Sequence, residues 1–393
     1  MPLPVHLLAL AVFAMGTSEF MLAGLLPDLA ADLDVPVGTA GLLTSAFAVG
    51  MVVGAPLVAA LARRWPPRSS LLAFLGLFLA AHVLGAVTDS FAVLLATRVA
   101  AAFANAGFLA VALTAAAALV APDRKGRALA VLLGGTTIAM IAGVPGGAVL
   151  GAFLGWRAAF WAVALLCLPG ALGVLRGLPA SLPQGGAGPG LRPELRELRR
   201  PRLIVVMGLG ALVNAATFGA FTFIGPVVTE TAELGSPWIA VVLVLFGLGS
   251  FAGVTAAGRF SDRRPGTVIA AAGPLLLLGW CALGLWAAVP AALLALAFVQ
   301  GALAFAVGST LIARVLYEAA GAPTMAGAYA AAALNCGAAA GPVVAGLALG
   351  TGAAERGPVW AAAALVAAAL LLALPGRRVF AGVPGAAALT KPS

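Results

Sequence analysis

Twelve apolar runs, each long enough to cross about 30 Å of hydrocarbon, leave this chain few folds to choose from. They fall at 6–27, 40–62, 69–88, 91–119, 128–151, 158–175, 204–228, 238–258, 267–287, 289–313, 324–350 and 357–375. Of the 393 residues, 63% are hydrophobic and 9% charged, against roughly 25% charged in an average soluble domain. An all-α membrane protein is therefore expected. The first run has no basic n-region and no cleavage site ahead of a soluble domain, so it reads as a retained span. Cys167, Cys281 and Cys336 fall within separate spans without a Cys-x-x-Cys pair or a His–Cys cluster, which argues against a metal site or a disulfide framework.

The net charge of +9 could suggest nucleic acid, but the basic residues alternate between connections and set topology instead. With a cytoplasmic N-terminus, nineteen Lys and Arg lie on the inner side and two, Arg157 and Arg356, on the outer, while Arg98 falls inside a span. Asp28, Asp32, Asp34, Asp89, Glu230, Glu233 and Glu355 are then placed outside. The expectation is a multi-pass protein of the cell inner (plasma) membrane with both termini cytoplasmic. A basic stretch divides the chain into a first half, 1–177, a linker, 178–203, a second half, 204–376, and a tail, 377–393. Within the linker, "LRPELRELRRPR" reads either as an interfacial helix, with Leu191, Leu195 and Leu198 on one face, or as a solvated basic segment.

Glu19 is the single ionisable side chain between Leu7 and Leu26, and a lone carboxylate in hydrocarbon needs a reason. It can pair with a cation, donate a structural hydrogen bond, or alternate between protonated and ionised forms as water access changes. Arg98 lies two helical turns before Asn105, so both can face one bundle surface, and headgroup snorkelling is the alternative for Arg98. Asn105, Asn214, Gln300, Tyr329 and Asn335 are sparse polar groups suited to a largely apolar solute or to interhelical hydrogen bonds. His82 has chemistry suited to proton handling but a peripheral address near a helix end. Phe13, Phe20, Phe47, Phe108, Phe218, Phe221 and Phe223 serve either a cavity wall or packing.

In the fifth span Gly135, Ala139, Gly143, Gly147, Gly151 and Gly155 recur every four residues, a stripe that lets another helix approach, and Pro145 predicts a bend within it. Span eleven repeats the theme with Gly337, Gly341 and Pro342. The corresponding positions in the two halves suggest paired gating helices and alternating access around a central cavity. After span eight, "GRFSDRRPG" sets Asp262 among arginines as a possible inner latch or as a topogenic charge run.

"GTSEFMLAGLLPDLAADLDVPVGTAGLLTSAFAVG", the Arg98 segment, "GVPGG" and "GWRAAFW" resemble the twelve-helix drug/proton antiporter branch of the major facilitator superfamily, in particular chloramphenicol-resistance and arabinose-efflux permeases. The resemblance covers essentially all twelve spans. It implies two six-helix halves and export of a small molecule, chloramphenicol first, against inward proton movement. Broader multidrug export and sugar efflux are the alternatives it leaves. It also implies protons as the coupling ion without a bound cofactor, membrane lipids but no nucleic acid as partners, and a functional monomer. "GRFSDRR" is similar to the superfamily's loop signature, which carries Gly258, Asp262 and Arg263 over as gating residues beside Gly143, Pro145, Gly147, Gly151, Gly341 and Pro342. After span two, "ARRWPPR" departs from that signature, with Arg63 where the pattern has an acid. A passive channel is disfavoured by the absence of a filter sequence, and an enzyme by the absence of a nucleophile–base constellation. No "GxxxxGK" phosphate loop is present, so ATP drive is not expected.

Overall fold

The computed structural model describes residues 2–61, 66–121, 124–178, 191–260, 265–322 and 325–374. Among these the regular elements are all helical, and twelve are long and apolar enough to cross a membrane. They are α1 (Leu3–Gly24), α2 (Val37–Val58), α3 (Pro67–Val87), α4 (Phe91–Ala118), α5 (Arg127–Leu154), α6 (Trp156–Gly177), α7 (Pro201–Thr222), α8 (Pro237–Gly258), α9 (Val268–Trp286), α10 (Pro290–Glu318), α11 (Ala326–Leu349) and α12 (Ala354–Ala373). Pro67, Pro201 and Pro290 each open a helix, where a missing N–H leaves no bond unmade. Large apolar side chains such as Leu165, Leu278, Leu347 and Leu371 face outward, as lipid-facing surfaces require.

Packing repeats with a period of six helices. In the first half α2 packs on α4, α3 on α4 and α6, and α1 on α5 and α6; in the second, α8 packs on α10, α9 on α10 and α12, and α7 on α11 and α12. The two halves meet chiefly through α2 against α11 and α5 against α8, which are the same contact with the halves exchanged. That is the pattern of two parallel repeats about an axis along the membrane normal. Two hydrophobic clusters follow the same division, one drawn mainly from residues 8–178 and the other mainly from 203–369.

Local sequence explains two irregularities. Pro145 cannot donate to a carbonyl in the preceding turn, and the helix answers with a π-turn over Ala139–Gly143, in which the Val144 N–H reaches the Ala139 carbonyl. The break in the hydrogen-bond ladder expected at Pro145 is thus accommodated by a π-turn. Between α5 and α6 the chain turns at Gly155, whose φ of +81° lies where L side chains are strained.

The linker's second part forms a helix, Leu191–Arg196, followed by a 3₁₀ turn, Glu197–Arg199. Its inward face carries Glu194, which is buried, and Leu198, which packs against the second-half core, while Leu195 is exposed. The Glu194 carboxylate accepts from the Met325 N–H at 2.8 Å, immediately before α11, and the Tyr329 hydroxyl donates to the Glu194 carbonyl at 2.9 Å. The linker helix is therefore docked on the second half at the start of α11, where a carboxylate satisfies an N-terminal donor.

Candidate functional site

Four helices of the first half converge on Arg98, which is only 1% exposed. It does not snorkel. From α4 its Nη1–H donates to the Ser18 hydroxyl at 2.8 Å and its Nη2–H to the Ser18 carbonyl at 2.7 Å, so α1 receives both arms of the guanidinium. From α2 the Phe47 ring lies against it, with the guanidinium carbon 4.5 Å from the ring centroid. The Ser18 carbonyl is available because α1 tightens to a 3₁₀ turn at Met21–Gly24, and carbonyls at the end of an α segment lose their i+4 donors.

His82 supplies the fourth helix. Its Nδ1 lies 2.8 Å from the Phe78 carbonyl and its Nε2 lies 2.7 Å from the Ser18 hydroxyl. A carbonyl only accepts, so Nδ1 carries a proton. The Ser18 hydroxyl has one proton to give, and with Arg98 donating to its oxygen that proton goes to Nε2. A directed chain results: Arg98 to Ser18, Ser18 to His82, His82 to Phe78. The imidazole is stacked on Phe78, with centroids 4.1 Å apart, and neighbours Phe160 at 5.7 Å. His82 was expected at the periphery from its place near a helix end; the folded bundle buries it instead, because that face of α3 packs between α4 and α6.

Glu19 follows Ser18 and is half-buried. It and Arg98 act on each other electrostatically, yet among the described residues they form no ion pair, since the guanidinium is engaged by Ser18. The next residue, Phe20, crosses to the second half, where its ring lies 5.6 Å from Phe218. Glu19 is thus the immediate neighbour, along α1, of a residue that packs across the junction of the halves.

The other polar residues singled out in the sequence are dispersed. Asn105 is buried and its Nδ2 lies 3.7 Å from the Met51 sulfur. Gln300 is buried and donates to the Leu276 carbonyl at 3.3 Å; Tyr329 is held by the linker helix. Asn335 donates to the Ala331 carbonyl of its own helix at 2.9 Å, and Asn214 donates to the carbonyl of neighbouring Leu334 at 2.7 Å, which brings those two asparagines to one place on α7 and α11. Phe221, Phe246, Trp280 and Gln300 line a cavity of ≈20 Å³ inside the second half, room for about one water.

The small-residue stripes lie on partner helices within each half. A Cβ on Gly143 would sit 2.0 Å from the Thr17 hydroxyl of α1 and one on Gly151 2.2 Å from Leu25, just past the end of α1, whereas Gly147 leaves an ordinary 3.4 Å to Met21. In the second half a Cβ on Gly341 would meet the Ala215 carbonyl of α7 at 2.2 Å. Pro145 and Pro342 are buried beside these stripes. Gly258 is exposed with open space around it, and Asp262 and Arg263 lie outside the described residues, as does Arg63.

At the end carrying the acidic loops, Arg157 bonds both Asp32 and Asp89, the latter at 2.6 Å, and the Trp156 indole N–H also donates to Asp32 at 3.1 Å. In the sequence Arg157 stands as one of two outer-side cations and as part of "GWRAAFW", and its isolation among acids is the signal of this bridge. Close approaches between the halves lie toward the same end at Gly38 against Gly346, Gly41 against Phe223 and Pro27 against Gly225, and near mid-helix at Gly247 of α8 against the Met140 carbonyl of α5.

The comparisons agree with this architecture. A family model described as Major Facilitator Superfamily matches residues 8–274. The chain is 69% identical over 381 residues to the chloramphenicol resistance protein of Streptomyces lividans, covering 96% of this chain and 97% of that one. It is 33% identical over 353 residues to the inner membrane transport protein YdhP of Escherichia coli K12, 89% of each chain. Among solved structures, a bacterial homologue of the human lysosomal transporter Spinster superposes with a TM-score of 0.75 at 17% identity, over 98% of this chain and 100% of that one, a likeness of fold alone. With six-helix repeats, a buried arginine network inside the first of them and these relatives, the chain belongs to the major facilitator superfamily and is a multi-pass membrane transporter rather than an enzyme.

Proposed function

We propose that this protein exports a small, largely apolar drug, chloramphenicol first, in exchange for protons. The observation that carries the substrate is the 69% identity, end to end, with the Streptomyces lividans chloramphenicol resistance protein. Chloramphenicol is uncharged, so its passage leaves no drug charge for Glu19 to balance, and the carboxylate is free to take and release a proton as access alternates. Arg98 tunes that step. Asn214 and Asn335, with Phe218 one turn after Asn214 on α7 and Phe20 of α1 against its ring, are the polar and aromatic groups offered to the drug; Asn105, Gln300 and Tyr329 support packing around it. The halves 1–177 and 204–376 rock as units about the α2–α11 and α5–α8 contacts, and this state is closed at the acidic-loop end. The charge bias supports an inner (plasma) membrane location with that end outside and both termini cytoplasmic, and each monomer contains a complete pathway.

The test is labelled chloramphenicol in proteoliposomes containing the full chain. Accumulation against its gradient is expected when a proton gradient is imposed without ATP, and its collapse when the gradient is dissipated. Equilibration indifferent to the proton gradient would sink the exchange reading, and absence of chloramphenicol movement while another drug or a sugar moves would reassign the substrate.

A further inference from the structure

Ser18 and His82 occupy a position that the proton-exchange reading leaves without a task. Both arms of the Arg98 guanidinium end on Ser18, and the Ser18 hydroxyl is fixed in turn by His82, which is anchored to the Phe78 carbonyl. Nothing in this chain of contacts is negatively charged. The one carboxylate that acts electrostatically on Arg98 is Glu19, the very next residue of α1, and the guanidinium is not paired with it. Among the described residues the buried Arg98 Nε–H has no partner, so the guanidinium keeps a donor to offer. The titratable groups facing one another here are Glu19 from α1, His82 from α3 and Arg98 from α4; α2 brings the Phe47 ring, α6 the Phe160 ring, and α5 the Gly143 backbone against Thr17.

We propose that Ser18 and His82 form an uncharged berth that holds Arg98 away from Glu19, so that the guanidinium exchanges between this berth and the Glu19 carboxylate as the proton arrives and leaves. They are positioning residues: neither carries the transported proton. When Glu19 holds a proton it no longer attracts the cation, and Arg98 rests on Ser18 as observed. When the proton departs, the carboxylate draws the guanidinium over and fills the vacant Nε–H. The berth competes with ionised Glu19 for one cation, and its strength therefore sets the acidity at which Glu19 exchanges its proton. Adjacent residues of one helix serve as alternative partners, which makes the transfer a side-chain swing of a few ångströms with no helix displacement required.

The inference rests on the exchange reading above, and its test is chosen to be separable from it. The carboxyl C=O infrared band of the full-length protein in lipid nanodiscs, without drug, is titrated in wild type and in Glu19→Gln, whose difference isolates Glu19. Ser18→Ala and His82→Phe, the latter retaining an aromatic ring on Phe78 and Phe160, weaken the berth and leave Arg98 to Glu19. The Glu19 titration is expected to move acidward by about one pH unit, the tenfold that one charge-assisted hydrogen bond supplies. His82→Gln, which keeps an acceptor for the Ser18 hydroxyl, is expected to return the titration toward wild type. Superimposable titrations in wild type and His82→Phe, or equal shifts in His82→Phe and His82→Gln, overturn the berth. If Ser18→Ala fails to insert, the two His82 variants decide the matter between them. If the variants show the expected shifts but the wild type moves no drug against its gradient, the exchange reading is refuted and the berth stands.

Discussion

Asp32 accepts from both the Arg157 guanidinium and the Trp156 indole N–H, and the Arg157 bond chiefly, with the indole assisting, holds its carboxyl below the ordinary carboxylate range despite partial burial. A carboxyl depressed in the folded state contributes stability above its unfolded value, near pH 4, and loses it as the pH falls through the folded value. Asp32→Asn should therefore destabilise the protein in detergent at pH 7, by about 1 kcal/mol at most for a partly exposed pair, and the melting-temperature gap to wild type should close below about pH 4. A gap independent of pH would assign the loss to packing. Arg98 makes a separate case. Its two arms reach two different atoms of Ser18, so Arg98→Lys keeps the charge but cannot span both. We expect drug accumulation to fall at least about tenfold in that variant, with insertion unchanged, while wild-type accumulation would show that the fork is dispensable. Glu19 and Arg98 were legible in the sequence because a charge in an apolar run stands out by itself. Ser18 was not: a serine is unremarkable in a membrane helix, and only the crossing of α1, α3 and α4 gives it two partners.

Helix pairs α1–α5 and α7–α11 are built alike, from glycines that admit the neighbouring helix to backbone distance. The positions are not equivalent in cost. Gly341 faces the Ala215 carbonyl, a backbone atom that cannot rotate aside, whereas Gly147 faces a side chain at an ordinary distance. Gly341→Ala should destabilise the folded protein by about 1–3 kcal/mol, and Gly147→Ala should be nearly neutral. Thermal unfolding of the purified variants in one detergent checks the order, and equal melting temperatures would remove the stripe's claim to tight packing. The four-residue period was visible in the sequence, as was the break in the hydrogen-bond ladder at Pro145. Which helix receives each stripe was not, because a small-residue face is complementary to any close neighbour. Likewise the leucines of the linker suggested a lipid-facing face, and the buried face proved to be that of Glu194, whose partner donor lies 131 residues away in sequence.

At the scale of the whole molecule, the exchange of α2–α11 for α8–α5 makes both halves contribute the same kind of surface to their junction. Gly38 and Gly346 come to backbone distance there, with a Cβ on Gly38 lying 3.3 Å from the Gly346 carbonyl. Cysteines introduced at both positions should oxidise to a cross-link that abolishes transport, with reductant restoring it; full transport in the oxidised protein would mean that this contact does not open during turnover. Twelve spans and a six-plus-six division could be read directly, since hydrophobic length and charge alternation are local properties. The geometry of the junction could not, because it depends on contacts between residues hundreds of positions apart.

The docking of Leu191–Arg196 on the start of α11 has a further consequence. Because Glu194 and Leu198 already belong to the second half, the tether between the repeats is shorter than the basic segment's length implies, and the helix is a fixture of one repeat. The protein should accordingly tolerate being made as two separately translated fragments broken before Leu191, provided the helix stays with the second fragment. Moving the break to just after Arg199 would strip the cap from α11, and the fragments should then reassemble poorly even though every membrane-spanning segment is present. Co-purification of the two fragments, compared between the two break points, measures the difference.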